Sequence, residues 1–166
     1  MAELVILGFG SNLGNRFRNI QSSLRMIALN KNMNLLKVSA VYETEPWGVS
    51  GQNSFYNCAA VFLCRMNPLG LLKTVKNTER SNGRKKRGKW QPREIDIDIL
   101  FYGNIVFSGG ELKIPHPFLH RRNFVLKPLV DIIPEYIHPA YKKSVLNLYN
   151  GSKDNCKVKE IRAFSG

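Results

Sequence analysis

Acidic residues are scarce in this chain. Twelve Asp and Glu stand against 25 Lys and Arg, for a net charge of +13 and a pI near 9.9. That imbalance points to an anionic partner, whether nucleotide, nucleic acid or membrane surface, and does not choose among them. Cysteine is scarce as well: Cys58, Cys64 and Cys156 are odd in number and show no C-x-x-C spacing. This argues against a disulfide framework and predicts reduced core residues of a cytoplasmic protein, with Cys58 and Cys64 on one face of a strand. Long apolar runs are missing. Nothing approaches the roughly 18 consecutive apolar residues of a membrane span, and the short run over residues 2–7 lacks a basic segment before it, so it reads as a first strand and not as a signal peptide. Repeats, low-complexity segments and linkers are missing too, and 166 residues fit one domain over 1–166. The glycine-bearing stretch over 8–15 matches neither G-x-G-x-x-G nor a P-loop, and predicts a strand-to-helix turn with Asn15 as N-cap.

What is present gathers around W-Q-P-R-E-I-D-I-D-I-L-F-Y, residues 90–102. From Ile95 the pattern alternates with period two, placing Ile95, Ile97, Ile99 and Phe101 on one strand face and Asp96, Asp98 and Leu100 on the other. The Cα atoms of the two aspartates then lie roughly 6–7 Å apart, close enough to share a cation or a pair of cations. Unpartnered, two like charges that close would repel, and Asp is depleted in strands. Hard oxygen donors favour Mg²⁺ or Mn²⁺ over zinc. Just upstream stand Arg84, Lys85, Lys86, Arg87, Lys89 and Arg93 around Trp90. Many cations, one ring and two metal-type carboxylates are what polyphosphate chemistry requires. The solvated alternatives are an edge strand with exposed aspartates and a basic surface run.

The rest of the chain predicts a strand over 4–9, a helix over 16–30, and one strand over 35–43 with Leu36, Val38, Ala40 and Tyr42 on one side. A loop over 44–52 carries Trp47, either a core plug or a lid that stacks on a ring. A strand over 55–63 follows, with Asn57 embedded in it; a buried amide there needs a backbone partner or the polar edge of a ligand. Asn67-Pro68 opens a second helix to about residue 80, with Leu69, Leu72, Val75 and Glu79 along one stripe. Gly103-Asn104 reads as a hairpin turn into Ile105-Val106-Phe107. His116 stands near Arg121 and Arg122, which favours a phosphate contact, whereas His120 and His138 read as structural. From residue 142 the chain is polar and uninformative. The order strand, helix, strand, strand, helix, strand is that of an α+β, ferredoxin-like split βαβ sandwich, an antiparallel sheet with helices on one face.

W-x-P-R-x-I-D-I-D-I-L resembles the signature of the 6-hydroxymethyl-7,8-dihydropterin pyrophosphokinases of folate synthesis, with Gln91 where that family usually has Gly. G-S-N-L-G over 10–14, T-x-P-x-G over 44–48, P-H-P over 115–117 and R-x-F-V-L-x-P-L over 122–129 extend the resemblance in the right order. It implies pyrophosphoryl transfer from ATP to a reduced pterin. Asp96 and Asp98 would hold two Mg²⁺, and Arg84, Lys86, Arg93, His116 and Arg122 would clamp phosphates, Lys86 standing where many members have Arg. Trp90, Phe55 and Phe124 would pack the pterin, Asp96 would also meet it, and Thr44 and Asn57 would read its edge. Pro46, Trp47 and Gly48 would line its pocket as a lid. Glu79 and Ile99 would lie on the nucleotide side. The expected partners are these small molecules alone, with no nucleic acid and no membrane, and the expected state is a cytoplasmic monomer. The rival of another class, an RNA-binding module on the same fold, calls for an R-G-F-x-F pattern that the sequence lacks. The excess positive charge also predicts that the lid and the basic loop repel one another until a nucleotide draws them together.

Overall fold

A computed structural model describes residues 1–46 and 49–164. The chain begins with β1 (Glu3–Ser11), α1 (Arg16–Ala28), β2 (Met33–Val38), β3 (Val41–Thr44), β4 (Phe55–Cys64), α2 (Pro68–Ser81) and β5 (Asp96–Tyr102). A two-stranded ribbon of β6 (Phe107–Gly109) and β7 (Leu112–Ile114) follows, then α3 (Asn123–Ile132), α4 (Val145–Asn150) and β8 (Val158–Arg162). The first seven elements form the ferredoxin-like unit. β1 lies in the middle of a six-stranded sheet, antiparallel to β4 on one side and to β5 on the other, while β2 and β3 run one after the other along the far edge of β4. β8 extends the sheet beyond β3.

Strand alternation supplies two cores. Val5, Leu7 and Phe9 of β1 with Ile97 and Ile99 of β5 meet Ile20, Leu24 and Ile27 of α1 and Leu71 and Val75 of α2. On the opposite face Ile6, Ala59, Val61 and Leu100 meet Leu126, Leu129 and Ile132 of α3 and Val145 of α4. Helices therefore cover both faces, not one as the sequence predicts, because the chain after β7 supplies a second apolar pair. The caps are as expected: the Asn15 side chain accepts from the Arg18 N–H and that of Asn67 from the Gly70 N–H.

Several sequence expectations differ from the structure, mostly through strand irregularities. Phe101 does not share a face with Ile95, Ile97 and Ile99. The β1–β5 register skips Leu100, and this bulge reverses parity, so Phe101 joins Leu100 in the second core. The strand over 35–43 is two strands. The β2–β4 register skips Leu36, which is left exposed, and β2 ends before Ser39, whose backbone N–H and hydroxyl bond the Ala59 carbonyl and N–H at 2.9 Å each. β1 continues through Ser11, so Gly8 and Gly10 are strand residues and not part of a turn. Leu69 is exposed, and Leu71 takes its place on the buried stripe of α2. The Gly103-Asn104 turn forms, with the Ile105 N–H on the Tyr102 carbonyl at 3.3 Å, but β6 then pairs with β7 and not with β5. The open edge of β5 is met instead by the His116 N–H, which bonds the Leu100 carbonyl at 3.0 Å. Cys58 and Cys64 are buried free thiols as expected, whereas Cys156 is half-buried. The polar tail beyond residue 142 holds α4 and β8.

Candidate active site

The face that carries α3 and α4 is only partly covered by them. Beyond the start of α3 the sheet is bare, and there a cavity of about 490 Å³ opens. Its floor is made by pairing. Gly10 lies between Asn57 of β4 and Asp96 of β5, and Gly8 lies between Ala59 and Asp98. A Cβ on Gly10 would come within 3.0 Å of the Asn57 Oδ1, and one on Gly8 within 3.2 Å of Leu100, so any larger side chain would fill the floor. Sequence reading missed these two glycines. Their i, i+2 spacing matched no phosphate fingerprint, and only the pairing gives it meaning.

The two aspartates share this face but not their surroundings. Each Asp96 oxygen holds an arginine, Oδ1 that of Arg84 at 2.8 Å and Oδ2 that of Arg93 at 2.7 Å. Arg84 also reaches Glu79 at 2.5 Å. Asp98 has no hydrogen-bond or ion-pair partner among the described residues. It keeps solvent access at the cavity floor, so the protein crowding it desolvates the carboxylate only in part. That crowding pushes its pKa up; His116 opposes the push and the charge of Asp96 adds to it. Partial burial likewise pushes the His116 imidazole down, with Asp98 pulling the other way. Its Nδ1 accepts a long bond, 3.4 Å, from the Phe118 N–H, which leaves Nε2 to carry the ring proton. Arg122 is half-buried, which pushes its guanidinium pKa down while leaving it charged, and it has no ion-pair partner among the described residues.

Around this floor, β3 and its end supply Thr44 and Pro46, β4 supplies Phe55 and Asn57, and the start of α3 supplies Phe124. Asn57 Nδ2 donates to Thr44 Oγ1 at 2.9 Å, so the two form one polar edge beside the rings. Trp90 lines the mouth, is 58% exposed and holds the left-handed φ of 66°, a conformation that costs a non-glycine residue roughly 1–2 kcal/mol. Gln91 shows no such φ, so the departure from glycine there is accommodated. Trp47 and Gly48 lie outside the described residues.

The described residues of the loop over 44–52 and the basic loop are not held apart by their charge. The Gln52 side-chain amide donates to the Trp90 carbonyl. Asn12 bonds both segments: its Nδ2 meets Gln52 Oε1 at 3.1 Å, and its Oδ1 accepts from the Arg93 N–H at 2.7 Å. The loop over 44–52 carries Glu45 and no Lys or Arg, so the excess cations of the basic loop find no like charge across the gap and the amide bonds form unopposed. Arg87 makes a two-bond fork on Glu94, at 2.8 and 2.7 Å, which drives that carboxyl down to about 2 and commits Arg87 to the loop base.

A second cavity, of about 210 Å³, lies on the ribbon side of β5 and is lined by Leu72, Lys76, Ile99 and Lys113 among others. Asp98 and His116 line both cavities, so the two spaces are neighbours across those side chains. Ile99 thus sits beside the smaller cavity. Lys86 is exposed on the basic loop and lines neither. Glu79 also lines neither. It is 2% exposed and accepts from the Ile97 N–H at 2.8 Å besides Arg84, a buried anchor under β5 whose pKa burial raises. Gln52 and Phe118 line the larger cavity without having been singled out in the sequence.

Residues 6–134 match the family described as 7,8-dihydro-6-hydroxymethylpterin-pyrophosphokinase (HPPK). The chain is 43% identical over 139 residues to the 2-amino-4-hydroxy-6-hydroxymethyldihydropteridine pyrophosphokinase of Aquifex aeolicus, covering 84% of this chain and 86% of that one. It is 41% identical over 153 residues to the folic acid synthesis protein FOL1 of Dictyostelium discoideum, covering 90% of this chain but 23% of that longer one. Among solved structures, Plasmodium falciparum HPPK-DHPS with pteroate superposes with a TM-score of 0.74 at 18% identity, covering 90% of this chain and 42% of that one, which is a likeness of fold.

Proposed function

The chain belongs to the 7,8-dihydro-6-hydroxymethylpterin-pyrophosphokinase family, and from that premise we propose that its two neighbouring cavities carry out pyrophosphoryl transfer. The hydroxyl oxygen of 6-hydroxymethyl-7,8-dihydropterin bonds to the β-phosphorus of ATP, the bond from that phosphorus to the α,β-bridging oxygen breaks, AMP leaves with the oxygen, and the hydroxyl proton is released. The observation that carries this reading is the sharing of Asp98 and His116 by both cavities. A flat ring in the larger and a nucleotide in the smaller would bring their reacting ends together at those side chains.

Such a transfer asks for in-line placement and charge neutralisation more than covalent help. Phe55, Trp90 and Phe124 offer ring faces for the pterin, and the Asn57–Thr44 pair offers it donors and acceptors. His116 Nε2–H and the Arg122 guanidinium are free to donate to phosphate oxygens, and Arg84 and Arg93 would be drawn from Asp96 by the triphosphate. Lys86 and the other exposed loop cations act at longer range. Glu79 acts by holding Arg84 and the start of β5, without touching the nucleotide.

Magnesium fits this donor set: two hard carboxylates lie on one strand face, one of them uncommitted, and phosphate oxygens and water can complete the shell. Asp96 and Asp98 would hold two ions, which when bound neutralise phosphate charge and lower the pKa of the attacking hydroxyl. We also read 1–166 as one catalytic domain acting as a cytoplasmic monomer. The free thiols of Cys58 and Cys64 support a reducing compartment, and among the described residues no helix is long and apolar enough to cross a membrane. Incubation with ATP, Mg²⁺ and the reduced pterin is expected to release AMP in step with pterin diphosphate. Release of ADP would identify an ordinary kinase, and nucleotide turnover indifferent to the pterin would overturn the acceptor.

A further inference from the structure

Arg122 is a cation in an unusual position, half-buried in the cleft with no carboxylate holding it among the described residues. What surrounds it is aromatic. Its Cζ lies 5.2 Å from the ring centroid of Phe118 and 5.7 Å from that of Phe124. Both distances fall within the range at which a ring face attracts a guanidinium. Attraction to a ring spends none of the guanidinium's N–H donors on hydrogen bonds, and the Arg122 side chain makes no other bond among the described residues. A free arginine loses rotamer freedom when a ligand fixes it, and a side chain already drawn to two rings has lost part of that beforehand.

Phe118 is the informative half of this clip. Its side chain is 50% exposed, so the ring is not there to fill a core. It stands just before the 3-10 turn Leu119–Arg121, which carries the chain from His116 to Arg122. From that position its backbone N–H reaches His116 Nδ1 at 3.4 Å and its ring meets the His116 ring edge-on at 6.5 Å. One residue therefore touches both of the cleft's uncommitted phosphate donors.

We propose that Phe118 is a positioning residue of the nucleotide site: its ring holds Arg122 against Phe124 with the donor rim turned to the cleft, and its backbone sets the His116 tautomer. This rests on the phosphate role given above to Arg122 and His116. The backbone part survives any side-chain change, so substitutions isolate the ring.

The test is calorimetric titration of a non-hydrolysable MgATP analogue and, separately, of the pterin, with thermal melts, on F118A, F118L, F118Y, R122A and F118A/R122A. F118A is expected to weaken the analogue about fivefold, the scale of one lost cation–π contact, and to weaken the pterin by less than that, with an unchanged Tm. F118Y should restore nucleotide affinity and F118L should not, since only the former keeps a ring face. In the R122A background, F118A should cost nothing further. If R122A weakens the analogue while F118A does not, or if F118L rescues as well as F118Y, the positioning role is overturned and the phosphate role of Arg122 stands. If R122A itself leaves nucleotide affinity unchanged, the phosphate role fails and the positioning role with it.

Discussion

Asp96 and Asp98 are two residues apart on one strand face, yet the free protein treats them differently. Asp96 is neutralised by two arginines, whereas Asp98 bears a crowded charge without a partner among the described residues. Removing the Asp98 charge should therefore relieve the free protein while disabling the loaded one. D98N is expected to melt at or above the wild-type Tm and to lower kcat by about 10³, the scale of losing a principal electrostatic group of the transition state. D96N should cost stability as well as turnover, since Arg84 and Arg93 lose their shared partner. Near-wild-type AMP release by D98N at saturating Mg²⁺ would remove Asp98 from the machinery.

A second single-residue expectation concerns His138, which is buried against Phe101 and Tyr141. Its Nδ1 accepts from the Ala140 and Tyr141 N–H groups at 3.2 Å each. Burial first, and His120 second, push its pKa down to about 4 from the ordinary 6.5. Above the ordinary value the imidazole is neutral both folded and unfolded, so it makes stability no function of pH there. Below it the unfolded chain takes up a proton that the folded one refuses, and stability should fall from about pH 6.5 to about pH 4, by on the order of 1–3 kcal/mol. Denaturant melts across that range test this. H138N keeps an acceptor for the two amides and should flatten the slope; an equal slope in H138N would assign the pH dependence elsewhere.

Among the elements, what the sequence made legible was whatever local spacing decides. The N-caps Asn15 and Asn67, the parity of Asp96 with Asp98, and the sharing of one strand face by Phe55 and Asn57 follow from local spacing and a period of 2. Leu36 and Phe101 were misplaced because a bulge is settled by two partner strands, and one extra residue reverses every facing after it. The glycine floor and Phe118 were illegible for a related reason: each has meaning only through residues far along the chain. The resemblance separates Arg84, Lys86 and Arg93 from the rest of the basic run, and the structure divides the run differently. Arg87 is committed to Glu94, Arg84 and Arg93 to Asp96, and Lys85, Lys86 and Lys89 are exposed. The Arg87–Glu94 fork closes the loop on its own base, and the low pKa of Glu94 means that this contribution is present above about pH 4.5 and lost as pH falls through about 2. E94Q should open the loop at neutral pH without touching the cleft. Tryptic cleavage within residues 84–93 should quicken about threefold or more, and saturating MgATP should suppress it in both proteins. Equal cleavage of E94Q and wild type would show that the loop is held by something other than this pair.

At the scale of the whole molecule, the loop that leaves β3 at Thr44, proposed as a lid, and the basic loop that runs into β5 lie on different parts of the sheet, and both are bonded to Asn12, just past the end of β1. Because the Asn12 N–H also bonds the Arg93 carbonyl at 3.1 Å, a shift of the basic loop around a triphosphate moves an amide that Gln52 of the lid shares. MgATP, carrying about −2 charge, should draw the loop cations inward, and Asn12 would pass that movement to the pterin side. The Kd for the pterin is therefore expected to fall by about tenfold, roughly 1.4 kcal/mol of coupling, when a non-hydrolysable MgATP analogue is bound, and the pterin must tighten the analogue by the same factor. Charge attraction alone would leave that coupling in N12A, whereas transmission through the shared amide would not. N12A should bind the pterin alone with little change and show about twofold coupling or less. Calorimetric titration of pterin with and without the analogue, on wild type and N12A, separates the two accounts. Equal pterin affinities in the wild-type pair would sink loop-to-lid coupling altogether, and full coupling in N12A would assign it to the field of the bound nucleotide instead of to the Asn12 bridge.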